Sequence, residues 1–483
     1  MTGRPNARRA AVALAVIGLA AACSTGPEQT AADLLITGGT VIDPASADSG
    51  RMMDVVIDDG RIVAVGASLS GRYRADSVID AAGRYVIPGL ADMHTHFGTG
   101  VRLTDEDDTT PVLARMLYYG VTTTLNLGSF QAWPARIDSL RAAMDGGALQ
   151  GPRLLAAGAL ITVPGSHPTT TIYSPALQAE IRAIVDGAPA NGPIDLAPAT
   201  ARATTLVRTA DDIRTEVRRL GDAGADVIKL TVESGPRAFG DDHPQMSSEL
   251  IAAAVEAAEA YGIPVLCHAS SGDELEACLR SGADGVVHAA TDPRGQRDGI
   301  KRRMAAARVA LIPTASLFEG WMRYPSDPSL LDEPFLAETI TAGEREWLGG
   351  DAMRATFAQG AAWPAAELAR LREHLRAAHD AGVPIIAGTD VGNPYRFPGH
   401  SLHEELEFYV SAGLTPMEAL ATATMNAARL VGDEAVWGSI REGLAADLLV
   451  LDASPLEDIA NTRRIRQVIR AGRVIDRAAL PVR

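Results

Sequence analysis

Apolar residues in this chain come in short runs, and amphipathic stretches of helical length lie between them. The junctions follow one phrase: a helical stretch closes at a glycine and an apolar strand opens one to three residues later, at Gly120, Gly224, Gly262, Gly282 and Gly382. Glycine fits there because a helix commonly ends on a residue in the left-handed conformation, which costs glycine nothing. The strands so predicted span 121–127, 227–231, 264–268, 285–288 and 384–387, and apolar runs at 85–96, 153–161 and 309–313 bring the number to eight. Between them, stretches such as 246–261 and 365–381 repeat apolar positions with helical period. Eight buried strands alternating with amphipathic helices predict an α/β chain folded as a (β/α)8 TIM-like barrel. A doubly wound open sheet is the competing fold. The barrel is preferred because chemically capable residues end many strands, whereas a doubly wound sheet gathers them at one switch point.

The two ends of the chain read differently. Short β-rich pieces at 34–42, 55–57, 61–65 and 77–79, broken by Asp59-Gly60 and Ala82-Gly83, signal hairpins. Similar pieces return at 447–451, 465–469 and 473–475. A small β-sandwich domain assembled from both ends is expected, with its N-terminal part at 33–85, the barrel at 86–430 and its C-terminal part at 431–483. Two intervals exceed ordinary loop length, 162–208 and 315–364, the second carrying Trp321, Tyr324, Trp347 and Trp363. Long loops after barrel strands are expected to cover a site.

Residues 1–22 carry Arg4, Arg8 and Arg9 and then an apolar run that ends at Cys23, the layout of a signal peptide. Leu19-Ala20-Ala21-Ala22-Cys23 resembles a lipoprotein cleavage box, with the Leu one place early. The expected product is an exported lipoprotein, anchored through Cys23 on a linker at 23–32 and facing the periplasm or cell exterior. The formal charge is −16, and loss of the three leader arginines leaves about −19, which excludes nucleic acid as an expected partner. A homo-oligomer is left open. Cys267 and Cys278 make no disulfide framework, so stability must come from a large core.

Candidate chemistry collects at strand ends. In Asp92-Met93-His94-Thr95-His96 the two-residue period of a strand puts both imidazoles on one face, where they can share a metal. His268 and His288 end the fifth and sixth strands and Asp390 ends the eighth. Lys229 ends the fourth, where a charged ammonium aimed into an apolar barrel would be heavily penalised. The chain uses arginine nearly everywhere else and has only Lys229 and Lys301, so Lys229 does something arginine cannot. A neutral amine can add carbon dioxide and become a carbamate, a carboxylate on a long arm; a guanidinium stays protonated.

This arrangement resembles the binuclear amidohydrolases, particularly the branch with prolidase-like Xaa-Pro and Xaa-Arg/Lys dipeptidases and ochratoxinase, with imidazolonepropionase-like proteins as neighbours. It spans the leading Gly38-Gly39 strand, Ile87-Pro88-Gly89-Leu90 and the stretch from Ile440 to Leu448. The resemblance implies that His94, His96 and Asp390 hold one divalent metal, that His268 and His288 hold a second, and that N6-carboxylated Lys229 bridges them. Zinc suits the nitrogen-rich donors. It further implies hydrolysis of an amide, in a dipeptide or an N-acyl amino acid, by a metal-bridging hydroxide with Asp390 as proton shuttle. His167, in Val163-Pro164-Gly165-Ser166-His167-Pro168, sits where similar enzymes place a histidine against the substrate, and its expected role is to stabilise the oxyanion. Two alternatives stand beside this: a mononuclear imidazolonepropionase-like hydrolase or deaminase of a cyclic amide, against which Lys229 argues, and a non-catalytic metal-binding lipoprotein.

Other residues receive plainer readings. Cys267 should face the helix layer as a core thiol, because it neighbours His268 on a strand. His400, His403, Glu404 and Glu405 read as a solvated helix face after the eighth strand, and Arg396 as an exposed arginine beside Tyr395. His243, His374 and His379 are assigned no chemistry.

Overall fold

The computed structural model describes residues 29–47, 49–97, 109–128, 134–172, 175–196, 198, 204–234, 242–290, 292–295, 297–360 and 365–483. The leader at 1–22, Cys23, most of the linker and Trp363 lie outside the described residues. No helix among the described residues is long and apolar enough to cross a membrane.

In chain order the strands are β1 (Thr30–Val41), β2 (Arg51–Asp58), β3 (Arg61–Gly66), β4 (Tyr73–Asp80), β5 (Tyr85–Pro88) and β6 (Leu90–Thr95). There follow β7 (Val121–Asn126), β8 (Arg153–Ala156), β9 (Leu160–Thr162), β10 (Ile194–Asp195), β11 (Thr204–Leu206) and β12 (Ile228–Thr231). The last six are β13 (Val265–His268), β14 (Gly285–Val287), β15 (Ala310–Ile312), β16 (Leu448–Leu451), β17 (Ile465–Arg470) and β18 (Arg473–Val474).

The chain ends meet as the hairpin pattern predicts. Strands run β18-β17-β16-β5-β1-β2-β3, with β4 also paired to β1. The seam between the ends is antiparallel, from Tyr85 opposite Leu451 to Pro88 opposite Leu448. Alternation along β1 and β2 splits their apolar residues between two sides: Ile36, Val55 and Ile57 pack with Val86, Leu448 and Val450, while Leu35 and Val56 pack with Ala64 and Leu69. The eight strands are joined by hydrogen bonds into one set, in which the long β1 pairs with β2, β4 and β5.

The barrel is a ring with one strand in two pieces. β6, β7 and β8 pair in parallel. β9 pairs with β12, and β12 through β15 continue in parallel order. β8 reaches the fourth strand by the backbone bond from Asp226 N–H to Ala156 C=O, 2.9 Å. The eighth member forms only isolated bridges, Leu311 to Ile385 on one side and Thr95 to Val391 on the other. Bonds from Ile386 N–H to Leu311 C=O and from Met93 N–H to Ala387 C=O, both 2.9 Å, close the ring there.

Three strand boundaries depart from the sequence pattern. The run 85–96 is two strands: Tyr85–Pro88 joins the end-built sheet and only Leu90–Thr95 enters the barrel. Gly89 marks the change, because a Cβ there would sit 2.1 Å from Thr122 Oγ1. The run 153–161 is likewise broken, between β8 and β9. The interval 162–208 is no plain loop, since it carries the helix Pro175–Gly187 and the β10–β11 pair, with β11 added to β9.

The second long interval is a helical insertion, with helices at Ala315–Ser326, Pro334–Ala337, Ala342–Gly349 and Asp351–Gly360. Its apolar faces close over Tyr395 and Phe397, which pack with Tyr324, Leu331, Leu336 and Leu348. The segment that follows Asp390 is therefore held from outside the barrel.

Candidate active site

Five barrel strand ends deliver the site. β6 brings His94 and β13 ends on His268; His96, His288 and Asp390 stand just past the ends of their strands, and Lys229 lies within β12. The geometry brings the histidines and the aspartate together in two groups. His94 Nε2 lies 3.1 Å from His96 Nε2, and Asp390 Oδ1 lies 3.5 Å from the first and 3.3 Å from the second. His268 Nδ1 lies 3.1 Å from His288 Nε2. The rings of His94 and His288 join the groups at a centroid distance of 5.1 Å. Donor atoms of His94, His288 and Asp390 all lie within 4.8 Å of one another.

The chemical state of these groups suits a cation. Burial pushes the imidazoles of His94, His268 and His288 well below their ordinary pKa, which leaves them neutral with a lone pair to offer. The Gly128 carbonyl, 2.9 Å from His96 Nδ1, can only accept, so His96 donates from Nδ1 and directs Nε2 toward His94 and Asp390. His94 Nδ1 is buried with no hydrogen-bond partner. For Asp390 burial raises the pKa, while the neighbouring side chains of His96, His288 and Lys229 lower it, and the net shift is below the usual carboxyl range.

Lys229 is the anomaly the sequence promised. Its side chain is buried and Nζ has no hydrogen-bond partner. Burial brings its pKa down to about 7, with Asp390 pulling the other way. A buried, unpartnered amine that gives up its proton close to neutrality is costly as a structural element. It is also the form of lysine that reacts with carbon dioxide.

The strand ends carry backbone strain. His288, Thr314 and Asp390 have φ of 71°, 48° and 60°, a left-handed region that residues with a Cβ seldom occupy. His288 and Thr314 also touch, Nδ1 to Oγ1 at 2.7 Å.

His167 reaches the site although its loop could not be aimed from sequence. Its ring stacks on His268 with centroids 4.8 Å apart, and Nδ1 lies 2.6 Å from Thr171 Oγ1. Burial lowers its pKa well below the usual value.

Several supporting residues escaped sequence reasoning. Asp92 accepts hydrogen bonds from Thr389 Oγ1 (2.6 Å), Thr389 N–H (3.0 Å) and His94 N–H (3.3 Å), and burial pushes its carboxyl up to about 7. It clasps β6 to the turn that bears Asp390. Glu233 lies 3.4 Å from His268 Nε2. A carboxylate two residues beyond a strand is common on surfaces, and only the ring of strands turns this one inward.

Two plain readings are corrected. The face of His400, His403, Glu404 and Glu405 is buried rather than solvated. His403 contacts Tyr119 C=O (2.9 Å) and Thr462 Oγ1 (2.8 Å), and Glu405 accepts from Ala315 N–H (2.8 Å) and Ser316 N–H (2.7 Å). Arg396 is fully buried too, its Nη2 3.2 Å from Glu404, and Tyr324 donates to that same Glu404 at 2.8 Å. The insertion, through Ala315, Ser316 and Tyr324, covers them together with Tyr119 and Thr462, and no strand or helix period records it. Cys267 is buried as expected.

The fold and this donor set define a class, and comparison with known proteins agrees. A model described as the amidohydrolase family matches residues 85–475, so the chain belongs to that family. It is similar over 452 residues, at 27% identity, to ochratoxinase from Aspergillus niger, covering 88% of this chain and 82% of that one. Among solved structures it is similar to a Xaa-Pro dipeptidase with bound methionine in the active site, at 25% identity and TM-score 0.66, over 92% of this chain and 99% of that one. A prolidase complexed with N-methylphosphonate-L-proline matches at 25% identity and TM-score 0.67, with the same coverage. The chain is a hydrolase of carbon–nitrogen bonds in the prolidase and ochratoxinase branch of the superfamily.

Proposed function

We propose that this protein is a binuclear metal hydrolase that cleaves the amide bond of a small substrate, a dipeptide or an N-acyl amino acid. The observation that carries the reading is Lys229, a buried amine without a hydrogen-bond partner at the rim where four histidines and Asp390 converge. Its neutral nitrogen would add to carbon dioxide, release its proton to solvent and become an N6-carboxylate, which would offer oxygen donors to the ions. His94, His96 and Asp390 would hold one divalent ion and His268 and His288 the other, with zinc the best match to the donors. When bound, the ions supply Lewis acidity toward a carbonyl and a water acidic enough to act near neutral pH.

The remaining chemistry belongs to the chain. Asp390 is held in its ionised form and placed to take a proton and return it to the leaving nitrogen. His167, stacked on His268, is placed to donate to the developing oxyanion. The buried helical insertion keeps the Asp390 turn from relaxing. We also propose that the chain is exported and lipidated at Cys23, which mass analysis of the mature N-terminus would test.

The deciding experiment is metal content by elemental analysis of leaderless protein produced with zinc and bicarbonate, followed by assays on dipeptides and N-acyl amino acids. Two ions per chain and release of an amino acid are expected. One ion, together with hydrolysis of a cyclic amide alone, would replace this reading with a mononuclear one.

A further inference from the structure

Glu233 is a buried carboxylate that the proposed chemistry does not use, and its side chain faces His268, one of the histidines of the site. It follows β12, where Val232 N–H donates to His268 C=O at 3.0 Å and draws the segment against β13. Its side chain is fully buried. Oε2 lies 3.4 Å from His268 Nε2 and also accepts from Ser270 Oγ. Its main-chain carbonyl accepts from Ser166 Oγ at 3.2 Å, in the loop that carries His167. Neighbouring Glu274 is engaged elsewhere: it accepts from Ser234 N–H (2.8 Å), Ser270 N–H (2.7 Å) and Ser271 N–H (3.0 Å), which leaves Glu233 as the carboxylate facing the imidazole.

We infer that Glu233 is a positioning residue that sets the tautomer and ring orientation of His268. A carboxylate can only accept, so His268 beside it carries its proton on Nε2. Nδ1, 3.1 Å from His288 Nε2, is then left with the lone pair. Carboxylates that hold a ligand histidine in this way strengthen its donor nitrogen, and their loss typically weakens metal binding about ten- to a hundredfold. The inference rests on the reading of His268 as a ligand, yet it concerns a contact present in the chain without any ion.

The first test is nitrogen NMR of histidine-labelled, chelator-stripped wild-type protein, with a His268→Asn sample to assign the resonance. An Nε2-protonated neutral His268 is expected, and an Nδ1-protonated ring would overturn the inference without any Glu233 variant. The second test is Glu233→Gln, which keeps the shape and the Ser270 contact but removes the charge. The variant should melt within a few degrees of wild type while competition with a chelator shows one ion held about ten- to a hundredfold less tightly. If Glu233 only fills space, Gln will retain both ions as wild type does, and the inference fails. Wild-type protein that takes up fewer than two ions would instead sink the binuclear reading, with the tautomer measurement still deciding the role of Glu233.

Discussion

Lys229 and His167 are the residues whose chemistry is most exposed to test. Replacing Lys229 by Ala removes the only amine at the rim, so the variant should hold at most one ion tightly and lose nearly all turnover. Retention of two ions, measured by elemental analysis after dialysis, would refute the carbamate. Lys229→Arg should fail equally, because a guanidinium does not give up its proton to react with carbon dioxide. His167→Ala should lower kcat about a hundredfold, the usual effect of losing one oxyanion donor. Its metal content should stay at the wild-type value. Full activity in that variant would leave His167 as a loop residue that happens to stack on His268.

At the scale of elements, the insertion and the helix His400–Ser411 form a brace behind the catalytic turn. Glu405 receives the first two backbone N–H groups of the helix Ala315–Ser326, which begins one residue after Thr314, the contact of His288. Glu405→Ala leaves both donors buried and unpaired. A loss of about 2–4 kcal/mol of stability is expected from urea unfolding, with a smaller loss for Glu405→Gln. Gly320 makes a sharper case. Alanine in mid-helix ordinarily stabilises by about 1 kcal/mol over glycine. Here a Cβ would lie 1.9 Å from Arg396 Nη2, so the buried guanidinium, 3.2 Å from Glu404, would have to shift away from its carboxylate partner. Gly320→Ala should therefore lower the melting temperature, and a rise would show that the Arg396 pocket yields.

The whole molecule is a ring whose rim concentrates neutral imidazoles, an ionised aspartate and a lysine short of its proton. Such a rim is incomplete as an apolar core and as a polar network, because His94 Nδ1 and Lys229 Nζ have no hydrogen-bond partners. Ions that bind only the folded chain stabilise it by mass action, by about 4 kcal/mol at a thousandfold excess over the dissociation constant. Removing metal with a chelator should lower the melting temperature by several degrees, and zinc added back should restore it together with activity. An unchanged melting curve would mean that the rim is satisfied without ions.

Much of this was written in the order of residues. The recurrence of glycine and apolar strand, with His94, His96, Lys229, His268, His288 and Asp390 in or just past the strands, required no long-range information. A strand's two-residue period aims a side chain, and its last residue is the one that meets the barrel mouth. What the sequence could not settle depended on which segments lie side by side. The run 85–96 reads as one strand, yet its first four residues pair with β16 from the far end of the chain. Arg396 and the helix of His400 to Glu405 look polar enough for solvent, and partners far along the chain bury them, Ala315 and Tyr324 of the insertion together with Tyr119 and Thr462. His167 and Glu233 sit outside the strands, where no period fixes direction. Local pattern determines which way a strand residue faces, and tertiary packing decides what a loop residue meets.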